Sequence, residues 1–399
     1  MGRSGEHSSV LRQRKPHEHG RVTFVELFFD LVFVFAVTQL SHSLLKHFTP
    51  LGALETALLL MAVWWVWIYT SWVTNWLDPD KPAVRLMLFG LMLAGLLLST
   101  SLPEAFEARG LLFAGAYVAM QLGRSLFMLW ALKPHSPGNF RNFQRISIWL
   151  AVSGAVWLAG GLAEGETRLA LWVVALAIEY AGPSQGFRVP GLGRSMTSDW
   201  DVEGGHLAER CALFVIIALG ESILVTGATF AELAADPVTI SAFLASFIGS
   251  VAMWWIYFNI GAERGSHHIA SAEDPGRIAR LGYTYIHLLL VAGIIVTAVA
   301  DEFVLAHPTG HGEPGVTAVV IGGPALYLLG NMLFKRLSAP NLPLSHLVGL
   351  GLLALLVPAG FFTSPLLLSA ATTVVLVAVG IWEGLSLRTP AASGTLSPP

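Results

Sequence analysis

The residues that could do chemistry in this chain are charged side chains set inside apolar runs. Glu26 and Asp30 stand four apart in the run 24–45, so a helix stacks them on one face. His206, Glu209 and Arg210 share a face at i, i+3 and i+4 where the run 207–229 begins. Arg85, Arg124, Glu179 and Glu383 fall within or at the ends of other apolar runs. Glu221 follows His206 by fifteen residues, roughly 22 Å further along a helix. Gln39, His42, His287 and Asn331 are secondary candidates. A charge inside a bilayer costs several kcal/mol, so each needs a partner, a wet cavity or a function. Two readings fit. In one, arginines and carboxylates form buried ion pairs, such as Asp30–Arg124 or Glu209–Arg280, that fix helix register. In the other, these groups line a polar cavity that binds an ion, a proton or a polar headgroup. Glu221 has no basic residue within reach on its own helix, so it is either a neutral carboxyl or a cation or proton site. Gln39 and His42 reach a similar depth and could line the same cavity. His287 is either a hydrogen-bonded packing residue or a ligand.

The elements that must carry these residues are membrane helices. Of 399 residues, 54% are hydrophobic and 12% charged, with mean hydropathy +0.64. Soluble globular chains carry roughly 25% charged residues, and half that share cannot coat a protein of this size without lipid. Twelve stretches are long and apolar enough, or nearly so, to cross a bilayer: about 24–45, 51–74, 84–102, 110–132, 146–163, 168–182, 207–229, 239–260, 279–300, 316–336, 343–361 and 365–384. The sixth is the weakest, bracketed by Arg168 and Glu179. With the N-terminus taken as cytoplasmic, 18 of the 23 Lys and Arg fall in inside segments, 3 in outside loops and 2 (Arg124 and Arg210) within helices. This asymmetry supports an even number of spans with both termini cytoplasmic.

The two halves repeat features in the same order. Glu26 opens the first helix and Glu209 the seventh. Trp64-Trp65 on the second is matched by Trp254-Trp255 on the eighth, Tyr117 and Gln121 on the fourth by Tyr327 and Asn331 on the tenth, and Glu179 on the sixth by Glu383 on the twelfth. The expected architecture is therefore an all-α polytopic membrane protein of about twelve transmembrane helices, built as a parallel 6+6 repeat whose pseudo-two-fold axis lies along the membrane normal. The expected parts are a basic cytoplasmic segment 1–23, a first six-helix repeat 24–182, a cytoplasmic linker 183–206, a second repeat 207–385 and a disordered tail 386–399.

Other chemistries find little support. The net charge of −3 does not argue for a nucleic-acid partner. Cys211 is the single cysteine, which excludes an internal disulfide and a Cys-based zinc site. His267-His268 lacks further ligands at zinc spacing. No phosphate-binding loop, nucleophile elbow or HExxH helix is present, so no cofactor, metal or ATP-driven step is expected. The Trp64-Trp65-Val66-Trp67 cluster reads as packing in preference to a stacking wall. Gly and Ala in the third, fourth, fifth and tenth helices favour close helix packing.

Two longer motifs are more specific. Val25-Glu26-Leu27-Phe28-Phe29-Asp30-Leu31-Val32-Phe33-Val34, and His206-Leu207-Ala208-Glu209-Arg210 followed by Phe214-Val215-Ile216-Ile217-Ala218-Leu219-Gly220-Glu221-Ser222-Ile223, resemble the two signatures of the bacterial low temperature requirement A family. Cys211-Ala212 departs from the aromatic or glycine expected there. The resemblance implies a multi-pass inner-membrane protein of bacteria and no particular reaction or substrate. Three function classes stand open, the first favoured: a secondary transporter or ion and proton pathway, with a small solute or ion as partner and intramembrane carboxylates as the site; a membrane-embedded enzyme acting on a lipid-type substrate; and a structural or sensory membrane protein linked to growth in the cold.

Overall fold

A computed structural model of the chain describes residues 9–12, 21–133, 135–196, 202–259, 275–338 and 341–388. His267-His268 and the tail residues 389–399 lie outside them, whereas Ser386 to Arg388 continue the last helix. The described residues are helical, with two isolated β-bridges and no strand among them. Among the described residues twelve helices run in order: α1 Phe24–Lys46, α2 Pro50–Trp76, α3 Pro82–Ser101, α4 Gly110–Leu132, α5 Pro137–Leu162, α6 Gly165–Ser184, α7 Gly204–Ala231, α8 Pro237–Phe258, α9 Gly276–Ala306, α10 Pro314–Ser338, α11 Leu344–Phe361 and α12 Pro365–Arg388. Eleven are long and apolar enough to cross a membrane. The twelfth, α6, has the length at 20 residues, but Glu166, Arg168 and Glu179 dilute its apolarity.

Local chemistry sets the boundaries. Pro50, Pro82, Pro137 and Pro237 occupy the first helical turn, where the missing N–H costs nothing. Thr49 caps α2 by accepting from the Gly52 amide at 3.0 Å. Asp236 caps α8 through the Val238 and Thr239 amides at 2.8 and 3.0 Å. Those two amides hold its exposed carboxyl below the usual carboxylate range.

The chain forms two compact units. The first comprises Met1–Ala218 and Ser266–Leu288, and the second Leu219–Gly265 and Leu289–Pro399. Within the first, α4 packs on α3 and α5, α5 on α6, and α1 on α2 and α3. Within the second, α12 packs on α8, α10 and α11. Outward faces are apolar, as lipid contact requires: Leu86, Phe89 and Leu93 on α3, and Leu244, Phe247 and Val251 on α8 are exposed.

Small residues admit close helix approach. Gly154 on α5 faces Val118 of α4, and Gly161 faces Ala114 and the Gly110 carbonyl. In the second unit, a methyl on Gly293 of α9 would stand 2.6 Å from the Tyr327 backbone nitrogen of α10. Backbone cannot yield as a side chain can. Gly293→Val is therefore expected to destabilise the protein by about 1–3 kcal/mol or more, read as a lower unfolding midpoint in detergent, whereas Gly322→Ala, where a methyl meets open space, should leave it unchanged.

Candidate functional site

The densest buried polar cluster lies in the first unit, at the start of α1. Glu26 is the third residue of that helix, and its side chain turns back to the helix start. Its Oε2 accepts from the Thr23 backbone amide and hydroxyl, both at 2.9 Å, half of a capping box. The same oxygen takes a guanidinium N–H of Arg12 at 3.1 Å. Oε1 faces His206 Nε2 at 2.9 Å and Arg210 Nη1 at 3.2 Å. One turn on, Asp30 Oδ1 accepts from the Trp67 indole at 2.8 Å and from Arg210 Nη2 at 2.5 Å. Arg210 thus hydrogen-bonds Asp30 through Nη2 and ion-pairs with Glu26 through Nη1, its Nη1 and Nε making no hydrogen bond among the described residues, with its guanidinium 5.7 Å from the Trp67 ring centre. Glu26, Asp30, His206 and Arg210 are all fully buried.

Two neighbours orient the set. Asn75, near the end of α2, accepts from the Glu203 amide at 2.9 Å and returns an N–H to the Glu203 carbonyl at 2.8 Å. That exchange fixes its amide, so its remaining N–H faces His206 Nδ1 at 3.4 Å. His206 Nε2 stands between Glu26 Oε1 at 2.9 Å and an Arg12 guanidinium nitrogen at 3.1 Å; with Nδ1 as the acceptor, Nε2 carries a proton that serves Glu26, and the Arg12 approach is then a contact without a hydrogen bond. Arg12 arrives on the segment Ser9–Arg12, which pairs with the end of α2: Leu11 bridges Leu77, and the Arg12 amide donates to the Trp76 carbonyl at 2.8 Å. Its Nε donates to the Thr74 and Leu77 carbonyls at 2.9 and 3.0 Å.

Asp30 differs from Glu26 in one respect. Its Oδ2 is buried and accepts no hydrogen bond among the described residues. The cluster carries two carboxylates and two guanidinium groups, so with His206 neutral the charges balance while one acceptor stays unfilled.

Several expected pairings are corrected. Arg124 does not pair with Asp30. Its Nη1 donates to the Val66 carbonyl at 3.1 Å and to the Thr70 hydroxyl at 2.9 Å, and its Nη2 to the Gln121 amide oxygen. Glu209 does not pair with Arg280. It is exposed and accepts from the Val22 amide at 3.2 Å, while Arg280 donates to the Pro183 carbonyl at 2.7 Å. His206 and Arg210 face inward one turn apart, and the same helical turn carries Glu209 outward. Arg85 is 46% exposed, 3.4 Å from the exposed Asp80, and joins no buried cluster. His42 is exposed and Gln39 half-buried in the first unit, whereas Glu221 belongs to the second. His287 is buried; its Nδ1 donates to the Gly282 carbonyl at 2.8 Å and its ring lies against Tyr283.

The other candidates fall into separate groups. Glu179 of α6 accepts four neutral donors: Tyr117 at 2.5 Å, Gln121 at 2.9 Å, Ser153 at 2.8 Å and Trp157 at 3.0 Å. In the second unit, Glu383 of α12 takes Lys335 Nζ at 2.7 Å on both oxygens, and Lys335 also donates to the Ile256 carbonyl at 3.0 Å. Asn331 donates to the Tyr327 carbonyl at 3.1 Å. Glu221 is 5% exposed, and its carboxylate takes part in no side-chain hydrogen bond or ion pair with another described residue. Asp301 of α9 is buried, its Oδ2 likewise without a hydrogen-bond partner there.

Sequence reasoning missed Arg12, Asn75 and Trp67 at the first cluster, and Lys335 and Asp301 in the second unit. Arg12 and Lys335 were counted only as loop cations. Asp301 lies one residue past the expected run 279–300, and the longer helix Gly276–Ala306 brings it inside. Trp67 is more than packing, since its indole is a donor to Asp30.

The α1–α7 cluster makes a stability prediction. Arg210→Met leaves two buried carboxylates short of their shared cation, and should cost about 3–5 kcal/mol. Adding Asp30→Asn to that variant should recover part of the loss, because one stranded charge is then gone. Denaturant unfolding in detergent of the single and double variants reads both effects.

Comparison with known proteins places the chain. The family model described as bacterial low temperature requirement A protein matches residues 21–381. A protein of Rhizobium meliloti (strain 1021), described as "Uncharacterized protein RA0937", is 45% identical over 383 residues, covering 96% of this chain and 93% of the relative. No solved structure matches. The chain belongs to the bacterial low temperature requirement A family of membrane proteins.

Proposed function

We propose that this family member is a secondary transporter or ion and proton pathway of the bacterial cytoplasmic membrane, and that the Glu26–Asp30–His206–Arg210 cluster is its proton-handling site. The observation that carries the reading is Asp30, a fully buried carboxylate in a membrane-spanning helix with one oxygen bonded and the other unfilled. Arg210 is shared between Asp30 and Glu26. A proton placed on Asp30 Oδ2 removes half of the negative charge facing that guanidinium, and Arg210 then pairs with Glu26 alone. Loss of the proton restores the sharing. The ion pairing, and with it the seating of α7 against α1, thereby becomes dependent on proton occupancy. Arg12, with its side chain 13% exposed, is the member of the cluster that reaches solvent. Ionisable groups of this kind in spans mark ion and substrate pathways.

The wider architecture is read as a parallel 6+6 repeat with both termini cytoplasmic. In each half, the last helix sends a glutamate to the fourth: Glu179 to Tyr117 and Gln121 of α4, and Glu383 to Lys335 of α10. The repeat is not equivalent in detail. Trp64 and Trp65 are buried, whereas Trp254 and Trp255 are exposed.

Proteoliposomes loaded with a pH-sensitive dye and given an inside-negative potassium diffusion potential test the assignment. Protein-dependent proton uptake is expected, and Asp30→Asn, alone or with Glu221→Gln, should reduce it about tenfold or more while the protein still reconstitutes. Uptake unchanged in the double variant would overturn the site, and no uptake above protein-free vesicles between about pH 5.5 and 8 would overturn the pathway.

A further inference from the structure

A groove in the first unit lies where the ends of α2, α5 and α6, the loop 186–196 and the start of α9 meet. Its walls include Tyr69, Trp72, Trp76, Phe143 and Phe187, with Arg280 and Thr284 among the few polar residues. It is a shallow groove, open on one side and walled mostly by apolar side chains.

Three features set it apart from a packing defect. Arg280 is half-buried, and its guanidinium donates to one acceptor, the Pro183 carbonyl, with no carboxylate paired to it among the described residues. Its remaining N–H groups, out of five, are available to an anion.

The backbone under Arg280 is irregular. Arg280–Ile286 is π-helical, a register poorly favoured by backbone alone and frequent at functional sites. Side chains hold it there. The Trp64 indole donates to the Thr284 carbonyl at 2.7 Å and the Trp72 indole to the Thr284 hydroxyl at 2.9 Å. His287 donates to the Gly282 carbonyl at 2.8 Å and Tyr285 to the Tyr180 carbonyl at 3.0 Å. Arg280 and Thr284, four residues apart in this stretch, both face the groove.

On the opposite wall, Phe187 has φ 48°, the one left-handed non-glycine residue among those described. That conformation costs roughly 1–2 kcal/mol, and it sets the ring on the groove wall beside Gly186, whose carbonyl accepts the Ser195 amide at 2.7 Å.

Charge and depth define the occupant. The described segments 183–196 and 275–286 contain Arg188, Arg194, Arg277 and Arg280 and no Asp or Glu. The groove sits where α2 and α6 end and α5 begins, the level at which aromatic belts and headgroups meet. An aromatic slot that carries Arg280 on its wall at that level suits an amphiphile with an anionic head. A free phosphate would satisfy Arg280 and leave the aromatic walls without an occupant. We propose that this groove binds an anionic phospholipid, its headgroup phosphate on Arg280 and an acyl chain along Trp72, Trp76, Phe143 and Phe187. The site shares no residue with the Glu26–Asp30 cluster, so it does not rest on the proton-pathway reading.

Native mass spectrometry of the full-length protein, delipidated in detergent and titrated with dioctanoyl phosphatidylglycerol or dioctanoyl phosphatidylcholine, tests it. The anionic lipid should be retained about tenfold more tightly, the worth of one charge-assisted contact. Arg280→Gln should abolish that preference, and Arg85→Gln, which changes an exposed cation elsewhere, should keep it. Should Arg280→Gln fold poorly, Met196→Glu, at an exposed position on the groove rim, should lower retention of the anionic lipid selectively. Equal retention of the two lipids would overturn the proposal, as would an Arg280→Gln or Met196→Glu protein that keeps the preference. Displacement of the anionic lipid by millimolar inorganic phosphate would overturn it in favour of a simple anion site.

Discussion

The sharing of one guanidinium by two carboxylates is the interaction on which the first unit depends. In lipid, a lone charge has no water to fall back on, and effective penalties reach several kcal/mol per ion. Glu26 and Asp30 present two such charges 2.5 to 3.2 Å from the Arg210 nitrogens. That contact determines which face of α7 turns inward, and hence that His206 is buried and Glu209 exposed. It also explains why residues 9–12 fold back. Glu26 needs a second cation beside Arg210, and Arg12 supplies it while satisfying carbonyls at the end of α2.

The other buried arginines do a different job. Arg124 donates to the Val66 carbonyl. Arg145 serves the Leu192 carbonyl, and Arg168 those of Gly160, Ala163, Ala105 and Glu107. The half-buried Arg280 serves Pro183. Helix ends and irregular turns leave carbonyls without intrahelical partners, and within a membrane such groups must be satisfied by the protein itself. A guanidinium with five donors can gather several at once. Arg145, Arg168 and Arg280 thus close backbone ends, while Arg124 serves the mid-helix Val66 carbonyl, the Thr70 hydroxyl and the Gln121 amide oxygen, which is why charge-by-charge pairing from the sequence misassigned Arg124 and Arg280.

The helical organisation was legible because apolar runs of about 20 residues carry a strong signal, and the weakness of α6 was legible in its own charges. The face shared by Glu26 and Asp30 followed from i, i+4 spacing, and the burial of His206 with Arg210 from the same rule. The choice of partner did not follow, because partners 180 residues apart are set by helix packing and not by spacing. Arg12 was hidden for a further reason. A cation in a polar segment near a membrane reads as a loop charge, and only the Leu11–Leu77 bridge reveals that it turns inward. The Glu179 cluster was half legible. Tyr117, Gln121 and Arg124 mark one face of α4, but their acceptor on α6 depends on how α4, α5 and α6 pack.

Coordination separates the buried acids into two kinds. A carboxylate offers about four lone-pair sites. Glu26 is engaged on both oxygens, by Thr23 and Arg12 on Oε2 and by His206 on Oε1, with Arg210 Nη1 beside Oε1 as an ion-pair contact, and Glu179 takes two neutral donors on each oxygen. A proton added to either meets oxygens that already hold donors, so these acids act as anchors of the helices they join. Asp30 receives both of its donors on one oxygen, and Glu221 receives none among the described residues. A proton can be added there without breaking an existing hydrogen bond, and in Asp30 its arrival changes the charge that Arg210 faces. Burial alone does not single out a functional acid in a membrane, since every one of these is buried. An unfilled acceptor on a shared cation does, because it couples proton occupancy to the contact that seats one helix on another.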